Sequence, residues 1–136
     1  MLSLETLIAK RLRDQGEFVG WSVREGCQDT DRRSVPAADV RMGGVSVPQV
    51  RKPAATLQPE WAITLVVRRG NEAAQQLDAA LSAAIASLHN WRPADAAGRG
   101  WTELQVARVL PADFVDLALV GYEITFTTAA VFHGQP

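Results

Sequence analysis

The sequence predicts an α+β fold: a largely antiparallel sheet with two helices packed on one face. Three observations carry this. Apolar residues recur at helical spacing over Leu4–Asp14 and again over Asn71–Leu88. They alternate at strand spacing over Trp61–Arg69 and over Ala118–Phe132. The last two predicted strands lie close enough to pair as an antiparallel hairpin, and helices on one face complete the layers.

Each element follows from its residues. In the first helix Leu4, Leu7, Ile8 and Leu12 form one stripe, with Ser3 placed to cap the start and Gly16 the end. Glu5, Lys10, Arg11 and Arg13 are expected on its outward faces. Phe18–Arg24, with Phe18, Val19, Trp21 and Val23, reads as a strand. Between residues 26 and 59 the pattern breaks down around Pro36, Pro48, Pro53, Pro59, Gly43 and Gly44, so a long irregular excursion is expected, holding at most a short strand near Asp39–Met42 or Val45–Val50. Trp61–Arg69 is apolar on both faces and reads as a central strand. The second helix carries Leu77, Leu81, Ile85 and Leu88, padded by Ala80 and Ala84 so that it can lie close to a sheet, with Asn71 as its cap. Pro93 cannot continue it. Thr102–Val109 is a strand, Pro111–Asp116 a turn, and Ala118–Phe132 one long strand. On that strand Val120, Tyr122, Ile124, Phe126, Ala130 and Phe132 face the core, while Leu119, Glu123, Thr125 and Thr127 face away.

The totals fit one folded domain. With 136 residues, 47% hydrophobic and 21% charged, the chain can bury a core. Its net charge of -1 gives no overall electrostatic footprint for nucleic acid or anionic membrane. The single cysteine, Cys27, excludes an internal disulfide framework. Met1–Leu12 lacks the layout of a secretory signal, and no apolar run approaches the ~20 residues of a membrane span. A soluble protein made in the cytoplasm is the expectation.

Reactive chemistry is sparse. His89 and His133 are the two histidines, and no Cys/His cluster has metal-ligand spacing. No serine sits in a G-x-S-x-G setting, and Gly98-Arg99-Gly100 is not a phosphate loop. Asp113 and Asp116, in Pro-Ala-Asp-Phe-Val-Asp, read as turn formers and caps. No catalytic residue, cofactor or metal is assigned, and the protein is not expected to be an enzyme. Arg32, Arg33, Arg41, Arg51 and Lys52 fall in the excursion and could meet nucleic-acid phosphates or an acidic protein surface. Asp29, Asp31 and Asp39 dilute the positive field, and base-stacking aromatics are absent there, which favours a protein partner. Of four tryptophans, Trp91 and Trp101 sit in or beside loops and are candidates for an interface or for capping the core.

The stretch Trp61–Pro93, an apolar strand leading to an alanine-rich helix that ends Ser87-Leu-His-Asn-Trp-Arg-Pro93, resembles the tail-terminator (tail-completion) proteins of long-tailed bacteriophages, whose corresponding helix often ends L-H-G-W-x-P. Asn90 stands where a glycine is common, and both tolerate the left-handed conformation. The opening helix and long final strand fit the same order of elements. The resemblance implies a ring, typically a hexamer, assembled in the host cytoplasm and residing in the virion. It would cap the tail tube and meet the head-completion or connector protein, with DNA only passing through the lumen and no membrane partner. Glu123, Thr125 and Thr127 would then give a polar, non-basic lumen wall, and the excursion would dock on a neighbour. A head–tail connector or other minor tail protein shares these elements. A small ligand- or nucleic-acid-binding module is the alternative of a different class.

Overall fold

The computed structural model describes residues 1–27 and 34–136. Among the described residues there are two α-helices and six strands: α1 Ser3–Arg13, β1 Ser22–Glu25, β2 Ala37–Arg51, β3 Ala54–Arg68, α2 Ala73–Leu88, β4 Gln105–Ala112, β5 Leu119–Thr127 and β6 Ala130–His133, with a 3-10 turn at Gly16–Phe18. The sheet order is β1-β2-β3-β5-β4, and β6 pairs with β3 beyond the end of β5. Among the described strands β1–β2 is parallel and the other pairings are antiparallel. Both helices lie on one face, as the periodicities predict.

The core forms where the two periods meet. Leu4, Ile8 and Leu12 of α1 are fully buried in one core cluster with Ala38 and Val40 of β2 and Trp61, Ile63, Leu65 and Val67 of β3. Each such aliphatic side chain contributes about 1.5–3 kcal/mol by leaving water. In α2 the deeply buried residues are Leu77, Ala80, Ala84 and Leu88, while Leu81 and Ile85 are half-buried. The alanines are thus the contact surface: lacking bulk, they bring the helix down onto β3 and β5.

Several boundaries differ from expectation, each for a local reason. The stretch 26–59 is not a long irregular excursion: β2 fills Ala37–Arg51, and β3 begins at Ala54 rather than Trp61. Its prolines and glycines sit where a ladder tolerates them. Gly43 lies in the register shift between Met42 and Gly44, and Pro48 in the shift between Ser46 and Gln49. Past Val40, where β1 ends, β2 has no outer strand among the described residues, so a missing proline N–H costs little. Neither helix has a side-chain cap: the caps are Leu2 and Glu72, not Ser3 and Asn71. The first turns bond backbone to backbone instead, Leu4 to Met1 at 3.0 Å and Ala73 to Gly70 at 3.2 Å. Phe18 belongs to the 3-10 turn, buried edge-on against Trp21, so β1 starts only at Ser22. β4 starts at Gln105 and runs through Pro111, an edge-strand position.

The long last strand is two. Thr102 interrupts it, its N–H donating to the Ala129 carbonyl and its Oγ1 accepting the Ala129 N–H, both at 2.9 Å. Glu5, expected outside, is 2% exposed. Its carboxylate accepts the N–H groups of Cys27 and Met42, each at 3.1 Å, and so adds a rung where the β1–β2 ladder stops.

Two tryptophans at the core differ in one bond. The Trp61 indole N–H is buried with no hydrogen-bond partner among the described residues. Trp101, 2% exposed, donates its indole N–H to Asp95 at 3.1 Å and meets Phe132 edge-on. The Ala97 amide, and then this indole, hold the Asp95 carboxyl below its ordinary range. Trp61→Phe removes an unpaired buried donor along with its ring volume, whereas Trp101→Phe also breaks a bond. Trp61→Phe is therefore expected to be the milder change, by about 1 kcal/mol in chemical denaturation. A larger loss for Trp61→Phe than for Trp101→Phe contradicts this.

Candidate functional site

The sheet face opposite the helices has no covering layer among the described residues, and the strand alternation puts its charges there. β1 gives Arg24, β2 gives Asp39 and Arg41, β3 gives Glu60, Ala62, Thr64 and Val66, β5 gives Gly121, Glu123, Thr125 and Thr127, and β4 gives Arg108, each placed by the pairing register. Opposite charges sit across strands. Arg24 grips Asp39 with two nitrogens, Arg108 meets Glu60 at 3.4 Å, and Arg41 approaches Glu123 at 4.0 Å. Three arginines against three carboxylates leave this set with zero net charge. These six charges cancel by pairing, and Arg68, on the same side at the end of β3, adds one positive charge, so the face is polar and close to neutral.

This corrects part of the expected wall. Glu123 is a third exposed (34%) and Thr127 is half-buried, so both reach the surface. Thr125 is 2% exposed, in the floor of a shallow depression of about 400 Å³ edged by Arg41, Glu60, Arg108 and Glu123. A neighbouring depression of about 450 Å³ is lined by Asp39, Thr64 and Phe114. Phe114, from the β4–β5 loop, folds over Gly121, its ring 3.2 Å from where a Cβ would stand.

The second feature is an arm. From Gly43 to Arg51 every residue of β2 is exposed, and β3 and β6 complete a three-stranded extension with Arg51 and Lys52 at its tip. Val45, Val47, Val50 and Val131 are bare apolar side chains on it. Of the five expected docking residues, Arg51 and Lys52 are on this tip, Arg41 is on the uncovered face, and Arg32 and Arg33 lie outside the described residues. The sequence placed a short strand near Asp39–Met42 or Val45–Val50, and both stretches lie in β2; what it missed is that they form one continuous strand paired with β3.

The two loop tryptophans part company. Trp101 is buried and caps the core beside Phe132, leaving no surface for a neighbour. Trp91 stays half-exposed, with the Arg11 guanidinium 5.0 Å above its ring. The Leu88–Pro93 ending is a clasp: Asn90 takes the left-handed conformation at φ 69° and donates its N–H to Leu104, and Leu104 donates back to the Trp91 carbonyl. His89 Nδ1 accepts the Val106 N–H at 3.1 Å, which fixes the start of β4. Asp116 accepts the Ala118 N–H, a turn-forming role. Among the described residues no group of three or more His, Cys, Asp or Glu side chains is placed to hold a metal ion, and no helix is long and apolar enough to cross a membrane.

These features define an α+β protein with one helix-covered and one uncovered sheet face. The chain is similar in fold to a solved chain from the virion of a native gene transfer agent particle, with a TM-score of 0.68 over 95% of each chain at 15% sequence identity. No sequence-family profile matches it, and no curated protein matches it in sequence.

Proposed function

We propose that the chain is a structural protein of a phage-type virion, and within that class a tail terminator. It is not an enzyme; it forms a ring that caps the tail tube and meets the head connector. The observation that carries the reading is the end-to-end fold similarity to a gene transfer agent virion chain. The helix ending Leu88–Pro93, with Asn90 in the left-handed conformation, supports the finer assignment. In the ring the uncovered face lines the lumen, its paired charges presenting DNA with little net attraction.

Light scattering across a concentration series, alone and with isolated tail tubes, tests the ring. A ring-sized mass, free or on the tube, is the expected result. A monomer or dimer that also ignores tubes sinks the assignment. The lumen role has its own test. Glu60→Lys with Glu123→Lys moves the six paired charges from zero to about +4, and salt-sensitive DNA retention should appear where the unaltered protein shows none. Equal retention by both proteins removes the lumen role.

A further inference from the structure

The tip of the arm is basic, the β4–β5 loop at the far end of the sheet carries two acidic residues of its own, and both carry bare apolar side chains. Between Gly43 and Pro59 the arm has two charged residues, Arg51 and Lys52, both basic and exposed at its tip. Val47 and Val50 beside them are 51% and 66% exposed. The β4–β5 loop, Asp113–Ala118, also has two charged residues, Asp113 and Asp116, both acidic and exposed. Val115 and Leu117 there are 104% and 80% exposed. Arg68 and Arg69 flank this loop, and Arg69 is held by the Leu117 carbonyl at 2.7 Å.

β3 sets the distance between the two patches. It runs from Ala54, next to the tip, to Arg68, which pairs with Leu119 just past the loop. At about 3.3 Å per residue this is ~45 Å. The patches cannot meet within one chain, but they match between two.

We propose that the arm tip of one copy docks on the β4–β5 loop of a second copy. Val47 and Val50 pack against Val115 and Leu117, and Arg51 and Lys52 face Asp113 and Asp116. The contact joins two different patches, so it propagates from copy to copy and closes where the rotation per copy divides a full turn. It rests on the ring reading above and names the surfaces that make the ring.

Charge reversal in the full chain tests it, with sedimentation reading the association midpoint. Arg51→Glu with Lys52→Glu, or Asp113→Lys with Asp116→Lys, should each weaken association by roughly tenfold or more, because like charges then meet. All four changes in one chain should restore it, and circular dichroism should show every variant folded. Two results overturn the docking. One is association unchanged by either reversal, which leaves the ring reading standing on other surfaces. The other is failure of the four-change chain to recover while it remains folded. A wild-type chain that is monomeric both free and on tail tubes removes the ring reading as well.

Discussion

Gly121→Ala is expected to cost about 3 kcal/mol or more, a large share of the stability of an ordinary domain. Gly121 lies on β5 opposite Val66, at the centre of the sheet. A methyl group there runs into the Leu65 carbonyl oxygen, with the Leu65 carbonyl carbon at 3.0 Å and the Phe114 ring at 3.2 Å. Phe114 sits on a loop and can yield, but the Leu65 carbonyl is fixed in β3, between two hydrogen-bonded strands. Relief therefore requires β3 and β5 to part near their pairing of Leu65 with Tyr122. Gly44→Ala is the control, since a Cβ there has nothing within 4 Å, and its effect should stay within about 0.5 kcal/mol. Equal thermal midpoints for the two variants would falsify the close-approach argument.

Glu5→Ala is the second large effect, at about 2–4 kcal/mol. The substitution leaves the Cys27 and Met42 N–H groups without their acceptor at a nearly closed site, and each such loss costs roughly 1–3 kcal/mol. Glu5→Gln keeps one acceptor oxygen and should fall between wild type and alanine. Cys27 supplies an independent readout. The hydrogen bond of its side chain to the Glu5 carboxylate is the first cause, with desolvation and the Glu5 charge adding to it, of a thiol pKa raised above the ordinary cysteine value. A raised pKa means less thiolate at a given pH. Removing Glu5 should therefore increase the alkylation rate of Cys27 near pH 8. Unchanged stability together with unchanged thiol reactivity would show that Glu5 does not hold this junction.

The difference between these two sites shows what the sequence makes legible. α2, β3 and the β4–β5 hairpin are long and periodic, and their apolar faces can be read directly. Glu5 looks like any charged helix residue, because the N–H groups that bury it come from 22 and 37 residues away. The arm was hidden for another reason. Gly43, Gly44, Pro48 and Pro53 are loop formers by local rule, and only the pairing with β3 turns the first three into register shifts within a strand. Trp91 and Trp101 are equivalent beside their loops until Asp95 and Phe132 are folded around one of them. On the uncovered face, alternation gave the side of β5 correctly, but not that Arg108 of β4 would reach across β5 to Glu60 or that Thr125 would lie buried in the floor of a depression.

β3 carries a mechanical consequence. It is one uninterrupted strand, while its neighbour on one side is broken between β5 and β6 at Thr128–Ala129. A force applied at the hairpin tip is therefore carried inward along β3 to Ile63, Leu65 and Val67 and along β2 to Ala38 and Val40, beneath the helices. Because β5 and β6 are separate at this break, the extension is expected to bend as a lever rooted in the core without shearing the β3–β5 ladder.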